Sequence, residues 1–346
     1  MARVVRDADL AGAIDLGSVV DRMAAGYRAD AKGGVVTFPR SRSDARGVVL
    51  AFLGAAIPRE DCLGFRAYLY RSTGEDRGEQ VVALYDFSSM ELRGVLLGSL
   101  VGVLRTGASA AAALLLAEPE LGEIGLLGTG TQARSTLACL AAKRRPDRVL
   151  AFGPHRGRAE TFRRWASRSL GVEVELAPSA ASVVAGAPAV ACLSSSDEPV
   201  VTAEMLGAPR LLLSISAYRR PEIDRKVLEA APYVFTDSVL QAGGPGTLFD
   251  DGARRAKLRP LVAGLSDGSL KDRRVTRIVL NTGAPWEEVL LADLLLHVAS
   301  AQGLGREMPL ATQTAARPTL EAYLTVPRAG IDSSVRGAGR RRSRRG

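Results

Sequence analysis

The stretch 123–134, EIGLLGTGTQAR, carries the clearest chemistry in the chain. An apolar run, Ile124 to Leu127, enters a glycine turn, and a helix-forming stretch leaves it. Gly128, Gly130 and Ala133 have the G-x-G-x-x-A spacing that, between a strand and a helix, cradles the pyrophosphate of a dinucleotide. Position 128 must turn tightly. Position 130 must let the backbone approach phosphate with no Cβ in the way, and position 133 must be small enough for the helix to pack on its strand. The helix start offers free N–H groups and a partial positive charge to the phosphates. Thr129, Thr131 and Gln132 therefore join the candidate cofactor contacts.

The elements around the turn fit that use. Strand-like runs occur at Glu123–Leu127, Val149–Phe152, Val172–Leu176, Ala189–Leu193, Leu211–Ile215 and Val234–Thr236, with helix-like runs between most of them. This rhythm predicts a doubly wound parallel sheet of Rossmann type. Arg277–Leu280 reads as its last strand, and the Gly-rich, charged stretch 240–275 as loops and short helices. Enzymes of this fold that use NAD usually place a carboxylate after the second strand, on the ribose hydroxyls. Here the chain continues Gly153-Pro154-His155-Arg156-Gly157-Arg158, without one. His155 and Arg156 lie where a 2′-phosphate would sit, so NADPH is expected ahead of NADH, with surface arginines of an Arg-rich protein as the alternative reading. Ser194, Ser195 and Ser196 follow a strand end on the ligand side, where they either border the cofactor or cap the next turn.

The segment before the turn differs in kind. The first thirty residues read as helical, with Asp7 and Asp9 as caps, up to the break at Gly33-Gly34. Strands follow at Val48–Leu53, Gly64–Tyr70, Val81–Tyr85 and Gly94–Leu97, with a hairpin around Ser88–Glu91, which predicts an antiparallel region. Ala108–Ala117 is a small-residue helix directly after Arg105-Thr106-Gly107, and it reads as a buried connection. Trp286–Gln302 reads as a helix with Glu287 and Glu288 in its first turn.

Composition narrows the class. A chain of 346 residues with 47% hydrophobic residues allows two domains with sizeable cores. Cys62, Cys139 and Cys192 are scattered and odd in number and read as reduced core residues of a cytoplasmic protein. With only His155 and His297 as histidines, neither a zinc site nor a Ser-His-Asp triad is expected. No charge-free apolar stretch is long enough for a membrane span. Residues 328–346 hold seven Arg and one Asp, six of the net +9 charge. They lack apolar periodicity and read as a disordered, solvated tail, a nucleic-acid or acidic-partner contact being the sharper alternative.

Several segments together resemble the ornithine cyclodeaminase/mu-crystallin family, from about residue 3 to 310. They are FPRSR (38–42), LGFRAY (63–68), LRTGASAAAALLLA (104–117), GLLGTGTQAR (125–134), SSSDEPVV (194–201), ISAYRRPEID (215–224) and TGAPWEEVLLA (282–292). The resemblance implies a homodimer and a discontinuous α+β part for dimerisation and substrate, residues 1–118 completed by 283–327, around a dinucleotide-binding part, 119–282. It implies chemistry that begins with hydride transfer at a carbon bearing nitrogen. The family's substrate carboxylate is held by arginines, which Arg40 and Arg105 match; a salt bridge at the domain junction is the other reading of Arg105. Thr106 and Ser216 join the cofactor contacts.

Two departures bear on the reaction. Arg66 stands where full cyclodeaminases carry Lys, and arginine cannot exchange its proton as a buried lysine can. Ser216-Ala217-Tyr218 stands where the family's catalytic Asp follows a strand. Tyr218 is either a proton donor or a packed core tyrosine. Glu288 matches a family Asp and reads here as a helix-capping residue, while His297 reads as buried or interfacial. The expected activity is NAD(P)H-dependent reduction of an imine next to a carboxylate, or the reverse amine dehydrogenation, with Arg40, Arg66 and Arg105 on the carboxylate. Cyclodeamination of a basic amino acid and an inactive NADPH-binding protein are the alternatives.

Overall fold

The computed structural model describes residues 1–72, 77–215, 221–244 and 246–309. Ser216 and Tyr218, and the stretch 310–346 with the basic tail, lie outside the described residues.

The chain opens with strand β1 (Ala2–Arg6) and helix α1 (Leu16–Ala31). It continues through β2 (Val36–Ala45), β3 (Val48–Ile57), β4 (Cys62–Arg71), β5 (Arg77–Asp86) and β6 (Leu92–Leu97) to helix α2 (Leu100–Ala117). Residues 2–6 were expected in a helix and form a strand, because they pair with β6 on one side and with the end of the chain's described part on the other. A local propensity is overridden here by two partners far away in sequence. Helix α2 begins eight residues before the expected Ala108. Its N-terminus is held by Asp7, whose Oδ2 accepts from the backbone N–H groups of Ser99 and Leu100 at 2.8 and 3.1 Å. The aspartate expected to cap a local helix thus caps one ninety residues on. α2 has the length and apolarity of a membrane-crossing helix, and 72% of it is buried within the fold.

Beyond α2 the strands and helices alternate. The strands are β7 (Glu123–Leu127), β8 (Arg148–Phe152), β9 (Val174–Leu176), β10 (Ala189–Cys192), β11 (Leu211–Ser214), β12 (Tyr233–Thr236), β13 (Leu258–Pro260) and β14 (Arg277–Leu280). Between them lie α3 (Thr131–Lys143), α4 (Arg156–Leu170), α5 (Ala180–Gly186), α6 (Arg225–Ala230), α7 (Val239–Ala242), α8 (Gly252–Arg255) and α9 (Leu261–Ser266). Helix α10 (Pro285–Ala301) and strand β15 (Arg306–Met308) follow.

The strands form two sheets. One has the order β15-β1-β6-β5-β4-β3-β2, antiparallel except at β1–β6. The other, β13-β12-β14-β11-β10-β7-β8-β9, is wholly parallel. Strand order reverses between β7 and β10, and the crevice at the carboxyl ends of those strands is where doubly wound sheets bind ligands. Helix α10 returns to the first sheet and packs against β3, β4 and β5 as well as α1 and α2. It is apolar nearly all round and is buried accordingly. Trp286 at its start is fully buried, edge-on to Tyr27 of α1 with ring centroids 5.1 Å apart.

Candidate active site

The glycine turn leads from β7 into α3. Gly128 has φ +118°, a conformation that suits glycine, and a Cβ there would stand 2.3 Å from the Leu193 carbonyl oxygen. Its N–H donates to the Phe152 carbonyl, so the ends of β7, β8 and β10 are drawn together at this residue. Gly130 faces open space. It is the N-cap of α3, and no side chain caps that helix. The N–H groups of the first turn, at Thr131, Gln132 and Ala133, therefore lack a protein capping group. Ala133 is fully buried against the sheet. Gln132 Oε1 is buried without a hydrogen-bond partner. An uncapped helix start, an open cradle and an orphaned polar atom fit the pyrophosphate of a dinucleotide.

The other sequence candidates near this turn divide. Thr129 packs on Gly153 at the end of β8, and the exposed His155 and Arg156 begin α4 just beyond. Ser194 gives both its N–H and its hydroxyl to Glu222, at 2.7 and 2.9 Å, and Ser195 is exposed. Glu222 also accepts from the Ser214 hydroxyl and the Ile215 N–H, so this buried carboxyl ties together the loops after β10 and β11. Burial pushes it above the usual carboxylate range against those hydrogen bonds. The hydroxyl of Thr106 is spent inside α2, on the Gly102 carbonyl at 2.8 Å.

Arg40, Arg66 and Arg105 are brought together, and two acidic residues join them. Arg40 sits where the β2–β3 register shifts between Phe38 and Ser41, a bulge of the kind that re-aims a side chain. Its guanidinium donates to the carbonyls of Thr282 and Gly283 at 3.4 and 3.1 Å. That loop is itself pinned by Asp237 after β12, which accepts from the N–H groups of Thr282, Gly283 and Ala284 and from the Thr282 hydroxyl. Arg66 on β4 pairs with Glu288 at 2.7 Å and donates to Gln80 on β5. Arg105, in the second turn of α2 rather than at its start, reaches the same Glu288 oxygen at 2.9 Å and Glu287 at 3.2 Å. Gly102 gives room to Arg66, whose Nη2 would stand 2.3 Å from any Cβ there.

Glu287 and Glu288 are fully buried, and Glu288 pairs with Arg66 and Arg105 while no side chain caps α10, so the expectation of a helix-capping role for Glu288 is corrected. Position 288 opens a helix with no polar face, and a carboxylate there has to be paired. That same pattern, two acids at the start of an all-apolar helix, is the sequence signal that could have found the cluster. The readings of Arg105 as a junction salt bridge and as a site residue coexist in one geometry. His297 is exposed, at 66% of its side chain, and pairs with Asp293 within α10.

The two acids of the cluster are shifted in opposite directions. Burial alone would raise Glu288, but Arg66, Arg105 and Arg40 hold it below the usual carboxylate range. Glu287 is driven well above that range by burial and by the nearby Asp237. Burial works against Arg105, yet Glu288 and Glu287 keep it charged. The Nε atoms of Arg40 and Arg66 are buried without a hydrogen-bond partner, which leaves guanidinium donors free for an anionic ligand.

A dinucleotide cradle on one sheet and a cationic cluster on the other define a two-part protein of the nucleotide-dependent oxidoreductase type. The family model described as Ornithine cyclodeaminase/mu-crystallin family matches residues 3–301, and the chain belongs to that family. A Delta(1)-pyrroline-2-carboxylate reductase of Bacillus cereus is 24% identical over 240 residues, 66% of this chain and 73% of the relative. Among solved structures, the Thermococcus litoralis Delta(1)-pyrroline-2-carboxylate reductase with NADH and L-proline has a TM-score of 0.77 at 18% identity, covering 88% of this chain and 100% of that one. The iminosuccinate reductase of Paracoccus denitrificans with NAD+ has a TM-score of 0.79 at 19% identity, covering 89% and 99%.

Proposed function

We propose that the protein reduces a carbon–nitrogen double bond adjacent to a carboxylate, or oxidises the corresponding amine, with a nicotinamide nucleotide. The observation that carries this is a buried cluster in which Arg66 and Arg105 share the carboxylate of Glu288, Arg40 is held by the adjoining 282–283 loop, and the Nε atoms of Arg40 and Arg66 lack a hydrogen-bond partner. A substrate carboxylate would take up those donors, and the fixed guanidinium groups orient the carbon beside it. A nucleotide bound at Gly128–Ala133 would supply or take the hydride, and Thr106, Ser194 and Ser195 would border it. The reductase names of the relatives support the same reaction class.

We assign the nucleotide as NADPH ahead of NADH, because His155 and Arg156 follow β8 where a ribose carboxylate would otherwise stand. The neighbours named above were solved with NADH and NAD+, so this preference is specific to the residues of this chain. We propose a homodimer through the outer face of the first sheet. Val36, Phe38, Val48, Leu50, Phe52 and Leu69 alternate with buried residues there and are 38–55% exposed, a contiguous apolar surface that asks for a partner. We place the protein in the cytoplasm on its three free, buried cysteines.

The test is loss of absorbance at the reduced-nicotinamide band on mixing the protein with Δ1-pyrroline-2-carboxylate, and separately with α-keto acids plus ammonia. Consumption of NADPH faster than NADH is expected. Ammonia released from ornithine or lysine with no net change in nicotinamide would replace this reading with cyclodeamination. Nucleotide binding with no reaction on the whole panel would leave a binding protein.

A further inference from the structure

Reducing a C=N bond requires a proton at nitrogen as well as hydride at carbon, and the carboxylate clamp cannot provide it. Arginine does not give up a proton at neutral pH. Glu288 is ionised between two arginines. Glu287 has no exposure through which to exchange a proton, and Tyr27 is buried with its hydroxyl on the Ser109 carbonyl.

Tyr68 differs from all of these. It lies on β4 two residues after Arg66, on the same face of the strand, and in register with Gln80 on β5. The Arg66 guanidinium carbon sits 4.6 Å from its ring centroid. The residue is half-buried, unlike the fully buried acids beside it. Among the described residues its hydroxyl has no hydrogen-bond partner, while every guanidinium beside it is engaged.

We propose that Tyr68 is the catalytic acid of the imine reduction, an assignment that rests on the function proposed above. As hydride forms the new C–H bond, the C=N π pair moves to nitrogen and takes the proton from Tyr68 Oη, forming N–H as O–H breaks. The phenolate is left beside the Arg66 guanidinium and regains its proton from water. In the oxidative direction the same oxygen accepts the proton of the amine. Oriented general acids of this kind contribute about 10²–10⁴-fold.

The experiment compares the full-length wild type with Tyr68→Phe and Tyr68→His, using Δ1-pyrroline-2-carboxylate and NADPH. We expect kcat to fall at least about 100-fold in the Phe variant. KM, the denaturation midpoint and calorimetric L-proline binding to the nucleotide-loaded protein should stay within about twofold. The alkaline limb of the kcat profile should disappear with Phe and return at lower pH with His, whose imidazole brings its own proton. If the wild type turns over and the Phe variant matches it in rate and pH profile, the assignment to Tyr68 falls and the reductase reading stands. If the Phe variant loses proline binding as well as rate, Tyr68 holds substrate and the acid role is overturned. A wild type inert on the whole imine panel would remove the reductase reading and this one together.

Discussion

The two halves of the candidate site are made of different material. At the glycine turn the ligand surface is backbone: an uncapped helix start, a residue with positive φ and an open position at Gly130, all within six consecutive residues. At the arginine cluster it is side chains drawn from β2, β4, α2 and α10, held by buried ion pairs between residues 182 to 222 positions apart. A backbone site tolerates most changes except added bulk. A buried charge site tolerates added bulk poorly and lost charge worse, since every removed partner strands another.

Substitutions should separate the two kinds of site. The largest effect is expected for Glu288→Ala, which strands Arg66 and Arg105 in the core. It should cost about 3–5 kcal/mol in chemical denaturation. Because the Glu288 carboxyl lies below its usual range when folded, its contribution is present above the ordinary carboxylate pKa and is lost as pH falls through the depressed value. The variant's stability should therefore fall less on acidification than that of the wild type.

Its neighbour should behave oppositely. Glu287 is raised in the folded protein, so its stabilising influence is complete in acid and is lost as pH rises towards the raised value. Glu287→Gln copies the protonated form. It should be more stable than the wild type at pH 7, with the gap closing near pH 4. Equal stability across that range would mean that Glu287 ionises when folded, and the charge balance of the cluster would have to be redrawn.

On the backbone side, Gly128→Ala forces a Cβ against the Leu193 carbonyl at positive φ. Strain of about 1–3 kcal/mol should appear as a tenfold or greater loss of nucleotide affinity by fluorescence titration, with L-proline binding little changed. Weakest should be Arg156→Ala, which removes one charged contact to a 2′-phosphate. It should lower NADPH affinity about tenfold and leave NADH unchanged. An equal loss for both nucleotides would locate Arg156 on the pyrophosphate instead.

The sequence by itself determined the glycine turn, the parallel sheet and the antiparallel strands, because each is written in a local period or a short motif. Gly128 to Ala133 act through backbone geometry that six residues specify among themselves. It also named Arg40, Arg66 and Arg105 as residues of interest, on the strength of a resemblance. Only the tertiary structure decided what surrounds them. Asp7 caps α2 from ninety residues away, residues 2–6 become a strand through their partners β6 and β15, and Glu287 and Glu288 turn from helix-start acids into buried partners of the arginines, shifted in opposite directions. The physical reason is the same in each case. Burial and pairing between distant segments set these roles, and neither leaves a local period for the sequence to show.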